Sequence, residues 1–129
     1  MLKDTIDFFV AGTIGLFSWF LGDTDGYIRV LITLIVIDYV MGIIVGYSRH
    51  ELSSSVGFVG IAKKMFIVSL VGVAHVIDVH IVGESAFRAP VALFYIANEG
   101  LSIIENADAL NIPIPKFLRD RFLTMRKKR

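Results

Sequence analysis

The chain has 129 residues, of which 55% are hydrophobic and only 19% are charged, and its formal net charge is +1. Because an average soluble domain has about 25% charged residues, this composition favours a membrane protein over a soluble globular domain. The chain has no cysteine, which excludes disulfide bonds, thiol catalysis and a thiolate metal site.

Four apolar runs follow one another along the chain, at residues 5–22, 28–47, 65–83 and 86–104. About 20 helical residues cross a hydrocarbon core of roughly 30 Å. The pattern therefore predicts an all-α integral membrane protein with four transmembrane helices. It divides the chain into a transmembrane domain at 1–110 and a cytoplasmic basic tail at 111–129.

The first run permits a second interpretation. Its 18 residues extend only about 27 Å as a helix, so three spanning helices plus one interfacial helix would also fit. Asp4 and Asp7 are unlike the basic start of a signal peptide, and we expect this run to be retained as a helix.

Turn signals separate the runs. The sequence GDTDG at 22–26 follows the first run, and only Gly83, Glu84 and Ser85 separate the third from the fourth, which predicts a tight antiparallel hairpin. Ser53, Ser54 or Ser55 could cap a helix that begins before the third run. Prolines at 113 and 115 end the fourth helix.

Basic residues predict the orientation. Four spans place both termini on one side, and a cytoplasmic location leaves only Arg29 and Arg88 outside. The segment after Pro115 predicts an amphipathic helix on the anionic inner leaflet, and a solvated tail that only fixes topology is the alternative. The basic residues expected at the membrane surface are Lys63, Lys64, Lys116, Arg119, Arg121, Arg126, Lys127, Lys128 and Arg129.

Asp38 lies in the middle of the second apolar run. A carboxylate there is costly in lipid, so it should face another helix, another copy or water. Gly42 and Gly46 follow at intervals of four and continue the same helix face. Small residues allow close helix contact in membranes, so this face is a candidate packing surface.

The third run contains His75, near the predicted midplane, and Asp78 one turn later. We expect Asp78 to orient or charge His75, and Asp38 to contact His75 within a subunit or between neighbours. Asp78 and Glu99 differ in predicted depth by roughly 10 Å and should not pair within one subunit.

The fourth run carries a polar stripe, which predicts a face that either lines water in an assembly or packs against other helices. Its members are Tyr95, Asn98, Ser102 and Glu105, with Glu99 beside them. No catalytic, cofactor or metal motif appears in the sequence, and the basic tail behind membrane spans favours lipid or topology over nucleic acid.

Several of these segments together resemble the toxin-secretion and phage-lysis holin family. The matching stretches are DYVMG at 38–42 with Gly46, LSSS at 52–55 leading to Lys63 and Lys64, Asp78, Arg88, FYIANE at 94–99, SIIEN at 102–106 and IPIP at 112–115. The likeness covers residues 28 to 122, and the block from 94 to 106 followed by the two prolines is the most specific part.

The resemblance implies a non-enzymatic protein of the bacterial cytoplasmic membrane that forms homo-oligomers and opens lesions. A murein hydrolase (endolysin) or a large toxin would then escape, without stable binding. From the residues alone, a small ion channel using Asp38, His75 and Glu99, or an accessory subunit of a membrane complex, remain alternatives.

Overall fold

The computed structural model describes residues 1–22 and 25–127; for residues 122, 123 and 125–127 it describes the backbone alone. The described part consists of helices and turns, without a strand, as predicted. The helices are α1 (Leu2–Leu21), α2 (Gly26–Ser48), α3 (Ser54–Ile77), α4 (Arg88–Ala109) and α5 (Lys116–Lys127). A π-helical segment, Asp78–Val82, continues α3.

Among the described residues, three helices are long and apolar enough to cross a membrane: Leu2–Leu21, Gly26–Ser48 and Ser54–Val82. The first run is therefore one of the candidate spans by length and composition. The fourth helix is not, because Arg88, Glu99, Glu105 and Asp108 interrupt its apolar character.

Side-chain caps fix where α2 and α3 begin. The Asp25 carboxylate accepts a hydrogen bond from the Ile28 backbone N–H at 3.2 Å, and Ser53 Oγ accepts one from the Val56 N–H at 3.2 Å. The possible early start near Ser54 is thus confirmed. The third helix begins well before residue 65, so Lys63 and Lys64 lie on it and not in a loop.

The predicted hairpin between the third and fourth runs contains the π-helical segment and a glycine. Gly83 has a positive φ of 84°, a conformation that side chains with a Cβ avoid, and its N–H donates to the Asp78 carbonyl at 2.7 Å. The turn lasts longer than predicted, since α4 begins at Arg88 and not at Ala86.

The first four helices alternate in direction, and α4 lies against α2 and α3. Its most extensive contact is with α2, to which it runs parallel: Asp25 meets Arg88 near the start of both helices, and Asp38 meets Asn106 further along. The buried apolar core consists of Ile28, Leu31, Ile35, Val71 and Ala92. The most polar of the four helices is therefore covered by its neighbours.

Helix α1 packs against α3 near its C-terminal end and is exposed along most of its length. At the contact, Phe20 covers Gly72, which is buried; a Cβ at position 72 would overlap the Phe20 ring. Most of the large apolar side chains of α1, including Phe8, Phe9 and Trp19, are exposed, as expected of a surface that faces lipid.

Candidate functional site

Two groups of ionic side chains lie between the helices. The midspan cluster contains Asp38 of α2, Lys64 of α3, and Glu99, Ser102 and Asn106 of α4. The helix-end cluster contains Arg88, Asp25, Asp78 and the backbone of Leu21 and Phe87. In the described residues, no buried side-chain nitrogen or oxygen lacks a hydrogen-bond partner.

Lys64 is the centre of the midspan cluster. Its ammonium group donates to Asp38 Oδ2 and, at 2.6 Å, to Glu99 Oε2. Asn106 Nδ2 donates to the other oxygen of Asp38 at 3.0 Å. The side chain of Glu99 is only 1% exposed and that of Asp38 5%, whereas Lys64 retains 20%. Burial at this level is tolerated only because the charges are paired and hydrogen-bonded.

The cluster lies well inside the bundle. Asp38 is about 20 Å along α2 from Asp25, and Glu99 is about 17 Å along α4 from Arg88, at 1.5 Å per residue. Lys64 reaches this level because α3 starts at Ser54 and runs in the opposite direction. Three helices therefore contribute one charged group each at the same depth.

Arg88 binds the ends of two other helices. Its Nε donates to the Leu21 carbonyl at 2.7 Å, at the C-terminus of α1. Its Nη1 and Nη2 donate to the two Asp25 oxygens at 2.7 and 3.3 Å, at the N-terminus of α2. A cation at one helix C-terminus and a bidentate pair with a capping carboxylate are both favourable arrangements.

Asp78 caps the helix that carries Arg88. Its two carboxylate oxygens accept the backbone N–H groups of Phe87 and Arg88 at 2.8 and 2.9 Å. A carboxylate at a helix N-terminus satisfies donors that have no partner within the helix. Through Arg88 and Asp78, the ends of all four helices α1 to α4 are bonded to one another.

The pKa of the Asp25 carboxyl is lowered, first by its hydrogen bonds from Arg88. A lowered pKa in the folded state means that the pair contributes stability at neutral pH and loses it only as the pH falls through that pKa. Asp25 is 40% exposed, so solvent screens part of this contribution.

His75 lies beside the helix-end cluster and not beside Asp38. It lines an open cavity of about 500 Å³ together with Asp25, Asp78 and Arg88. A Cβ at Gly22, which has a positive φ of 86°, would lie 2.9 Å from the His75 ring and 2.8 Å from Arg88 Nε. The expected contact between Asp38 and His75 within a subunit is therefore wrong, because Lys64 and Asn106 surround Asp38.

The predicted glycine face of α2 has little cover inside the chain. Gly42 is exposed with no neighbouring atom within 4 Å of an added Cβ, and Gly46 lies near Leu52.

On α4, Tyr95 is partly buried with its ring edge-on to Phe94 at 5.0 Å. Asn98, Ser102 and Glu105 are also partly buried, so the stripe packs largely within the bundle. Asp78 and Glu99 belong to separate clusters, as expected from their depths.

The basic residues divide into several environments. Lys64 was expected at the membrane surface, but it lies in the midspan cluster, because α3 begins eleven residues earlier than the apolar run. Lys63 and Lys116 are exposed. Arg119 pairs with Asp108 at 2.8 Å, and the Arg121 guanidinium lies 5.6 Å from the Phe117 ring centre. The side chains of Arg126 and Lys127, and all of Lys128 and Arg129, lie outside the described part of the structure.

Sequence reasoning missed the partners of the charged groups. Arg88 was placed on the outer membrane side and in the family resemblance, and Asn106 in the family resemblance alone, without a partner for either. A signal existed for Lys64: the serine cap at 53 extends α3 far enough to place a lysine at the depth of Asp38. Nothing in the sequence pattern indicated that α2 and α4 run side by side.

Among the described residues, no group of three or more His, Asp or Glu could hold a metal ion.

The fold and the two clusters together define a helical membrane protein whose charged groups are kept between its helices. The chain belongs to the bacteriophage holin family, whose family model matches residues 15–127. This confirms the resemblance seen in the sequence motifs, and no solved structure matches the chain.

Relatives occur in bacteria and in a bacteriophage. An uncharacterised protein of Clostridium perfringens (strain 13) is 42% identical over 115 residues, which cover 88% of this chain and 84% of the relative. An uncharacterised protein of Listeria monocytogenes is 37% identical over 118 residues, covering 92% and 84%. A probable holin of Bacillus phage phi105 is 36% identical over 95 residues, covering 74% and 70%.

Proposed function

We propose that this protein is a non-enzymatic holin that oligomerises in the bacterial cytoplasmic membrane and opens lesions through which a murein hydrolase or a large toxin leaves the cell. The observation that carries the proposal, beside the family membership, is the midspan cluster. Charged groups held between apolar helices are satisfied while the protein is dispersed, and they become available to line water when helices rearrange.

The proposal includes α4 as a fourth span, with both termini in the cytoplasm. In its support, α4 runs beside α2 from the Asp25–Arg88 pair to the Asp38–Asn106 hydrogen bond, which is about 20 Å along α2 and about 27 Å along α4 at 1.5 Å per residue. A helix in such contact with a spanning helix crosses the same depth. Its charges are compatible with that depth because they are paired.

Oligomerisation is supported by surfaces that the chain leaves open. Gly42 on α2 has no neighbour, and it lies one turn after the buried Asp38. Small residues on an exposed helix face allow a second copy to approach closely in lipid. The exposed basic residues Lys116, Arg119 and Arg121 are proposed to lie at the anionic inner surface, and the exposed Lys63, one residue before Lys64 on α3, is proposed to extend its long side chain towards it.

An ion channel is the second candidate, and the buried carboxylates Asp38 and Glu99 are the observation in its favour, because ionisable groups within membrane spans often mark ion pathways. The two functions differ in what passes through the membrane. A holin lesion releases a protein, whereas a selective channel passes ions alone.

The test is inducible expression in bacteria with and without a cytoplasmic murein hydrolase that has no export signal. We expect abrupt lysis only when both proteins are present, and loss of membrane potential in either case. The control is a catalytically inactive hydrolase, which should leave the cells intact while it appears in the medium. Loss of potential without release of the hydrolase would support the channel instead.

A further inference from the structure

The midspan cluster contains two carboxyl groups but only one cation. Asp38, Lys64 and Glu99 come from three different helices, and the hydrogen-bonding side chains that α4 adds around them, Ser102 and Asn106, are neutral. With all three groups ionised, the cluster would carry one uncompensated negative charge in the interior of the bundle.

Among the described residues, the other cations of the surrounding helices do not reach the cluster, because Arg29 on α2 and Lys63 on α3 are exposed and Arg88 on α4 belongs to the helix-end cluster. Glu105 further along α4 is itself acidic. The ionisable residues of α1, which are Lys3, Asp4 and Asp7, are exposed in its first two turns. An isolated buried charge is strongly disfavoured in a medium of low dielectric constant.

The geometry offers a way to remove that charge. Asp38 and Glu99 each accept a hydrogen bond from the same ammonium nitrogen of Lys64, which holds one oxygen of each carboxyl group close to one oxygen of the other. Two carboxylates that share a site repel when both are ionised, and one proton between them replaces the repulsion by an O–H···O hydrogen bond.

We infer that the midspan cluster is a binding site for a single proton, held between Asp38 and Glu99 while Lys64 stays charged. One carboxylate takes the proton from bulk water and forms an O–H bond, which makes the cluster neutral. If the proposed function holds, wetting of the cluster in an open lesion solvates both carboxyl groups, which are then ionised at neutral pH like exposed carboxyl groups, and the proton leaves to water. Opening of the lesion therefore releases a proton.

The site is tested by infrared spectroscopy of the full-length protein in lipid bilayers at neutral pH, using the C=O stretch of protonated carboxyl groups and its shift in deuterium oxide. We expect the wild type to show the band of one protonated carboxyl. Glu99→Gln and Asp38→Asn should each lose this band. In each variant the one remaining carboxylate balances the charge of the Lys64 ammonium group, so no proton needs to be bound. Lys64→Met should double it, because both carboxyls then need a proton.

Glu84→Gln is the matched control, since Glu84 is exposed in the turn before α4, and its band should equal that of the wild type. Helix content by circular dichroism verifies that each variant folds. If Lys64→Met does not fold, the two amide variants still decide the matter. Absence of the band in the wild type, or its survival in both amide variants, would overturn the inference.

Lysis timing separates this inference from the proposed function. With co-expressed murein hydrolase, acidifying the cytoplasm with a permeant weak acid should delay lysis by the wild type but not by Glu99→Gln. If hydrolase is released and the delay is equal in both, the link between proton and opening is wrong. If the band is present but no hydrolase is ever released, the proton site stands and the holin function fails.

Discussion

At position 88, one guanidinium group binds the Leu21 carbonyl and both oxygens of Asp25. Lysine carries the same charge but has neither the planar fork nor the reach to replace three donors at once. The helix-end cluster should therefore depend on the shape of the arginine and not only on its charge.

We expect Arg88→Lys to lower the free energy of unfolding by about 2 kcal/mol, since at least one charge-assisted hydrogen bond is lost from a largely buried group. Thermal unfolding in detergent, followed by circular dichroism, measures the change. Arg29→Lys is the control, because Arg29 is exposed on the first turn of α2 and its replacement should have no effect. Equal stability of the two variants would contradict the role assigned to Arg88.

At the scale of the helix, the contact of α1 with α3 depends on the absence of a side chain at position 72. The Phe20 ring occupies the place that a Cβ would take. Helix association in lipid depends on such close packing, because apolar side chains gain little from leaving an apolar solvent.

Gly72→Ala should separate α1 from α3 and lower the free energy of unfolding by about 1–3 kcal/mol, the usual cost of overpacking. Gly12→Ala on α1 is the matched control, with no atom within 4 Å of the added Cβ, and it should be neutral. Phe20→Leu in the Gly72→Ala background should recover part of the loss. A chemical-denaturation series in detergent measures all three, and failure of the second change to help would argue against this contact.

Helix positions were predictable from the sequence to the extent that hydrophobicity and caps specify them. The apolar runs gave the helical class, and the serines at 53–55 gave the start of α3. The pairing of α2 with α4 was not predictable, because run length carries no information on which helices touch. Lys64 was misplaced for the same reason, since a lysine beside an apolar run resembles a surface anchor until its partners are known.

At the scale of the whole molecule, the proposed topology places the turn at 83–87 outside the cell and the turn at 49–53 inside. The natural chain has no cysteine, so a single introduced cysteine reports one site without interference. Ser85 and Glu51 are both exposed and lie in opposite turns.

We expect Ser85→Cys to react in intact cells with a maleimide that cannot cross the membrane, and Glu51→Cys to react only after permeabilisation. Asp108→Cys, near the end of α4, should behave like Glu51→Cys if α4 spans the membrane. Labelling of Asp108→Cys from outside, together with Ser85→Cys, would show that α4 does not cross. The unmodified chain is the blank in each case.

Arg88 reaches back 67 residues along the chain to its carbonyl partner at Leu21. During synthesis α1, α2 and α3 leave the ribosome before α4. At that stage Leu21 and Asp25 lack their hydrogen bonds from Arg88, and Asp38 and Lys64 lack Glu99. Only α4 supplies both the guanidinium group and the second carboxyl group. A polypeptide that ends before α4 therefore lacks Arg88 and Glu99, so only the full-length chain can join the helix ends and complete the midspan cluster.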